Sequence, residues 1–223
     1  MSEVTITVRG SFDSFHPPER GTVHITVAFE APQKDSAYQS ATSTAAAIAD
    51  RITPLFDRDR GPVTWWSSDQ IRTWSSRPWN QEGKQLPLVH HAAVSYQVKF
   101  GELTRLNAWV SDVVTEPGVT IDRVEWALTE GRRVELTRLA RDRAVHDARD
   151  KAQAYASSLG LAELRAVAVA DAGMLGDHPL GRDQTAMALA ARGSGAPISG
   201  DELRLVPDDI VLSATVDARF VAQ

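Results

Sequence analysis

Hydrophobic positions along this chain switch repeatedly between a spacing of two and a spacing near that of a helix turn. Val4, Ile6 and Val8 alternate with Thr5, Thr7 and Arg9, and Val23, Ile25, Val27 and Phe29 repeat the alternation. Two strands are therefore predicted at the start. Between them Gly10 to Gly21, with Pro17 and Pro18, reads as the connecting loop of a long hairpin. Asp35 or Ser36 then caps a helix reaching the mid-fifties, striped by Tyr38, Ala41, Ala45, Ile48, Ile52 and Leu55, with Pro54 ending or kinking it.

Val63 to Trp79 reads as one or two strands and Asn80 to Leu88 as a turn. A long strand follows, with Ala92, Val94, Tyr96, Val98 and Phe100 on one face. Leu103, Leu106, Val110 and Val113 mark a helix over Leu103 to Thr115 that Pro117 and Gly118 stop. Val124, Trp126 and Leu128 mark another strand. The pattern from Leu136 to Leu161 is an unbroken helix whose inner stripe is mostly small: Leu136, Leu139, Ala140, Ala144, Ala148, Ala152, Tyr155 and Leu159. Gly160 stands where a left-handed C-terminal residue is wanted. A strand at Arg165 to Ala170 precedes residues 173–200, which read as a long mobile loop with one weak helical turn near Gln184 to Ala191. Ile210, Leu212, Ala214, Val216, Ala218 and Phe220 close the chain as a strong strand.

The predicted order is β-β-α-β-β-α-β-α-β-β. Helices that interrupt a mostly antiparallel set of strands make an α+β fold with about three packed helices. A chain of 223 residues can form one domain, 1–223, or two intimately packed lobes near 1–100 and 101–223.

Composition narrows the field. A formal charge of −5 argues against a dedicated nucleic-acid binder. Cysteine is absent, which removes disulfides, thiolate chemistry and cysteine-based zinc sites. No stretch reaches membrane-spanning length, and the first strand starts without a preceding basic-then-apolar leader, so a cytoplasmic location is expected.

The run ARDRAVHDARDKAQAYASSLGL, Ala140 to Leu161, resembles the signature of the SIMPL domain family. The pattern is carried by Ala144, Asp147, Ala148, Arg149, Lys151, Ala152, Ala156, Leu159 and Gly160. Supporting features stand in the family's order: the opening strand ending in Gly10, the alanine-rich helix Ala41 to Arg51, LTRLNAWVSDVV, VTIDRVEWALT, PISGDE and the final strand. The resemblance implies an α+β fold, frequent assembly into oligomers and no established enzyme activity. Bacterial members include periplasmic proteins linked to oxidative-stress defence, and an animal member associates with a receptor-linked kinase. The tryptophan cluster described next is not part of that family pattern.

Candidate chemistry is sparse. Asp142, His146 and Asp150 share a helix face at metal-ligand spacing, but a solvated face with pairs such as Asp147 to Lys151 and Arg143 to Asp147 explains them as well, and no metal is expected. His90 and His91 face opposite ways on a regular strand. His16, His178 and Ser194 lie in predicted loops, and no G-x-S-x-G turn accompanies them, so no catalytic residue is assigned. Without a G-x-G-x-x-G or Walker-type loop, no cofactor is expected.

The best candidate surface is the segment VTWWSSDQIRTWSSRPW. Trp65, Trp66, Arg72, Trp74, Arg77 and Trp79, with His91, can stack on a ligand or anchor a partner, while Trp65 or Trp66 can equally fill the core. The leading expectation is a non-catalytic, homo-oligomerising interaction protein. The alternative is a small-molecule binder or unrecognised hydrolase with its site near His91 and the tryptophans.

Overall fold

The computed structural model describes residues 3–79, 85–175 and 205–223. Among them lie eight strands and three α-helices, all strand pairings are antiparallel, and the fold is α+β. The elements are β1 (Val4–His16), β2 (Arg20–Ala31), α1 (Lys34–Ile52), β3 (Val63–Ser68), β4 (Arg72–Ser76), β5 (Val89–Phe100), α2 (Leu103–Val113), β6 (Val119–Ala127), α3 (Glu130–Ser158), β7 (Leu164–Asp171) and β8 (Ile210–Ala222). The order is that predicted, with the Val63 to Trp79 segment forming two strands. Predicted features at His178, Ser194, residues 184–191 and the PISGDE run lie outside the described residues, as does most of the 173–200 segment.

The chain divides into two compact units. One comprises residues 3–16, 129–175 and 209–223, and the other residues 17–79, 85–128 and 205–208. The expected hairpin between the first two strands does not form. β1 pairs with β8 over its whole length, Val4 opposite Ala222 and His16 opposite Ile210, whereas β2 pairs with β5 and β6. Alternation identifies a half-buried strand without identifying its neighbour. The intervening link is only Pro17–Glu19, because β1 runs on through Phe12 and Phe15. Two prolines there supply no backbone donors to a ladder.

The first unit is a three-stranded sheet, β1-β8-β7, with α3 across one face. Ile6, Val8, Val216, Ala218, Phe220 and Ala222 meet Ala144, Ala148, Ala152 and Ala156 in its core. The helix begins at Glu130, earlier than the stripe suggested, with the Thr129 side chain accepting from the Arg132 N–H. It ends with Gly160 at φ +75°, and Leu161 N–H donates to Ala156 O at 2.9 Å. That pairing with Gly160 N–H to Ser157 O is a Schellman closure.

The buried ridge is stricter than predicted: Leu136, Ala140, Ala144, Ala148, Ala152 and Ala156, while Leu139, Tyr155 and Leu159 are exposed. A four-residue step advances about 40° past a full turn, so this ridge winds around the helix as a twisted sheet requires. Positions three residues on fall behind it.

The second unit is a five-stranded sheet ordered β3-β5-β2-β6, with β4 also on β5. β3 pairs with the Tyr96–Phe100 half of β5 and β4 with the Val89–Ala93 half, so the two short strands follow one another along the same edge. Both α1 and α2 cover one face. Val23, Ile25, Val27, Val94, Tyr96, Val98 and Phe100 pack there against Ala45, Ile48, Ile52, Leu106, Trp109, Val110 and Val113. Tyr96 OH donates to Ala45 O at 3.0 Å, and burial raises the phenol's pKa. Helix α1 starts from Gln33 without a side-chain cap, leaving Asp35 in its first turn, and Tyr38 faces outward while Ala37 takes the buried place. After Ile52 the chain tightens into a 3-10 turn containing Pro54.

Candidate functional site

In a strand pair, residues opposite one another share a face. Trp65 stands opposite Lys99, Trp74 opposite His91, and His91 opposite Glu30. None of these is on the helix-covered side, where Trp66 lies opposite Val98 and stacks on Tyr96 at 6.4 Å. The structure therefore separates the tryptophan cluster. Trp66 belongs with the core. Trp65, Arg72, Trp74 and His91 share the other face of the sheet, and Arg77 and Trp79 lie just past the end of β4.

That second face is polar, and neither α1 nor α2, the helices of this unit, covers it. Thr26, Ser95 and Gln97 line it with charges of both signs, Glu30, Arg72, Lys99, Arg123 and Glu125. Arg123 donates to Glu125 and holds its carboxyl below the usual range, and His24 Nε2 lies 3.4 Å from the same carboxylate. Trp65 is 46% exposed, Trp74 49% and Trp79 81%.

At one end of this face the side chains are ordered. Trp74 lies flat on His91, ring centroids 5.0 Å apart and 6° from parallel. His91 Nε2 is 2.8 Å from Ser76 Oγ, and its Nδ1 is 3.2 Å from Glu30 Oε1. On the opposite face Ser75 Oγ lies 2.7 Å from His90 Nδ1. The Ser-Ser pair of β4 thus meets the His-His pair of β5, one contact on each side. Arg77 donates to Leu86 O at 2.8 Å, bracing the chain beyond β4. Beside it a shallow, largely apolar groove of about 340 Å³ runs along Glu30, Ala31, Pro32, Pro78, Leu86, Pro87, Leu88 and Val89.

The alanine helix carries a different set of contacts. Asp147 accepts from Ser11 N–H at 2.8 Å and from Lys151 Nζ at 2.6 Å, and Lys151 also donates to Arg9 O at 3.0 Å. The Lys151 hydrogen bond, then that from Ser11, holds the Asp147 carboxyl below its ordinary range. The predicted Arg143 to Asp147 pair is replaced by this clasp on β1. β1 is an edge strand, so an acid and a base four residues apart on α3 take a backbone donor and acceptor that a further strand would otherwise seek. Gly10 lies between them. A Cβ there would overlap the Ala144 carbonyl oxygen and approach Ala148 N to 2.7 Å.

On the far side of the same sheet Asp217, buried, takes Arg9 Nε at 2.7 Å and Gly173 N–H at 2.6 Å. Arg9 chiefly holds the Asp217 carboxyl below the usual range, against the opposing effect of burial. Sequence reasoning passed over Asp217 because it reads as one more polar residue on an alternating strand. His146 lies 3.7 Å from Asp142 on an exposed face, and among the described residues no group of three ligand-type side chains is arranged to hold a metal ion. No described helix is long and apolar enough to cross a membrane.

Compared with known proteins, the chain matches the family model SIMPL, described as a protein of unknown function (DUF541), over residues 6–220. No curated protein matches it.

Proposed function

The chain belongs to the SIMPL family, and from that premise we propose that it is an interaction protein, working by binding, that self-associates through the face of its five-stranded sheet opposite α1 and α2. The observation that carries this reading is the pair of half-exposed indoles, Trp65 and Trp74, on a face otherwise studded with charges of both signs. Large aromatic side chains gain most when a partner covers them, and Trp and Arg are favoured at interface centres. A surface bearing Glu30 and Glu125 together with Arg72, Lys99 and Arg123 is complementary to a copy of itself related by a twofold axis.

Light scattering over a range of concentrations tests the proposal. Wild type is expected to form a dimer or larger assembly, and Trp65→Ala with Trp74→Ala to weaken it at least about tenfold, a modest figure for central aromatic contacts. Assembly unchanged by both substitutions would remove this face as the contact surface, and a monomer at every concentration would remove self-association.

A further inference from the structure

Ser76, His91 and Glu30 stand in the order nucleophile, base and orienting carboxylate, with the correct ring nitrogen turned to each. An ionised carboxylate has no proton to give, so the proton of the neutral His91 ring is favoured on Nδ1, the atom 3.2 Å from Glu30 Oε1. Nε2 is then left with its lone pair toward Ser76, 2.8 Å away, and the Ser76 hydroxyl must donate to it. Trp74 covers one face of the ring and restricts its rotation. His91 is only 15% exposed although Glu30 and Ser76 reach solvent. Ser75 and His90 make the same kind of pair on the other face, through Nδ1, and provide a matched comparison.

From this geometry we infer that Ser76 is an acyl-accepting nucleophile toward activated esters, with His91 its general base and Glu30 a positioning residue. The adjoining groove along Ala31, Pro32, Pro87, Leu88 and Val89 suits a short apolar acyl or aryl group. Ser76 Oγ attacks the ester carbonyl carbon as its proton passes to His91 Nε2. The carbon–oxygen bond to the leaving group breaks, and that oxygen takes the proton from Nε2 and departs as the alcohol or phenol. The acyl group remains on Ser76. Water then attacks the acyl carbon, giving its proton through Nε2 back to Ser76 Oγ, and the carboxylic acid leaves. This goes beyond the binding reading, and because the site lies on the face proposed for self-association, the ester assay is run over the same concentration range as the light scattering.

The test uses 4-nitrophenyl acetate and 4-nitrophenyl butyrate on the full chain. A burst of 4-nitrophenolate is expected, with one acyl group mapped to Ser76 by peptide mass spectrometry. Ser76→Ala should abolish the adduct, and His91→Gln should slow acylation at least about a hundredfold, the lower range for general-base assistance. Glu30→Gln should slow it at least about tenfold with part of the rate restored in Glu30→Asp, a rescue that a purely structural contact would not give. Ser75→Ala should leave it unchanged. No adduct on the wild-type chain, or an adduct that survives Ser76→Ala, overturns the assignment whatever the variants' stability.

Discussion

Replacing Gly10 by alanine probes the contact on which the first unit is built. The added methyl would meet Ala148 Cβ at 2.8 Å and overlap the Ala144 carbonyl oxygen, both on the helix itself. Ordinary carbon contacts begin near about 3.5 Å, so helix and strand must part by roughly 0.7 Å or more. Neither obstacle is a flexible side-chain end that can swing aside. A gap of that size forfeits about a quarter to a half of each affected dispersion contact, and overpacking a close-packed site costs about 1–3 kcal/mol. The same movement stretches the Ser11 to Asp147 and Lys151 to Arg9 hydrogen bonds. Because Asp147 and Lys151 are partly exposed, their loss adds only about 1 kcal/mol. The total is about 2–4 kcal/mol, or a fall in Tm on the order of 5–15 °C for a chain of this size.

The assay can be read by unit. All six tryptophans fall in the second unit, whereas the long helix α3 belongs to the first. Urea unfolding followed by far-ultraviolet circular dichroism should shift by the predicted amount. Fluorescence identifies the behaviour of the second unit in the same samples. A loss below about 1 kcal/mol by circular dichroism would refute the reasoning, because no close approach of helix and strand could then exist at Gly10.

Two further outcomes follow from the polar contacts. The carboxyls of Asp147 and Asp217 are both held below their ordinary range in the folded chain. Their stabilisation is therefore complete above the unfolded carboxylate pKa of about 3.9 and lost as pH falls through the lower folded values. Acid titration of stability should show this loss below about pH 4, and Asp217→Asn should flatten that limb; an unaltered acid limb would contradict the Arg9–Asp217 assignment. Tyr96→Phe removes a buried hydrogen bond to Ala45 O with little change of shape and should cost about 1 kcal/mol in denaturant unfolding. A neutral result would mean that the hydroxyl is as well served by water.

Local periodicity made most elements legible, because one-sided burial leaves its spacing in the residues whatever the partner. Val23, Ile25 and Val27 declare an inner face, and the alanines from Ala140 to Ala156 declare a close-packed helix. Pairing was not legible: β1 takes a neighbour at the other end of the chain, Val4 opposite Ala222, and nothing in VTITV names it. The candidate site was visible in part for the same reason. Trp74 and His91 stand out by residue type. Ser76 and Glu30 do not, and only the register of β4 and β2 against β5 brings them to opposite nitrogens of one ring. Asp147 and Lys151 read as a solvated pair because their spacing is that of any helical ion pair. Gly10 reads in the sequence as the start of a loop, whereas it stands in mid-strand, and only the fold shows that a helix presses on it there.

The strand order β1-β8-β7 bears on how this molecule comes into being. The central strand of that sheet is residues 210–222, so β1 and β7 have no common neighbour until those residues leave the ribosome. Apart from residues 205–208, by contrast, the described second unit is complete by Leu128. During synthesis one unit can mature while the other's first strand waits unpaired, which makes the long-range closure of β1 onto β8 the slow and exposed step of assembly.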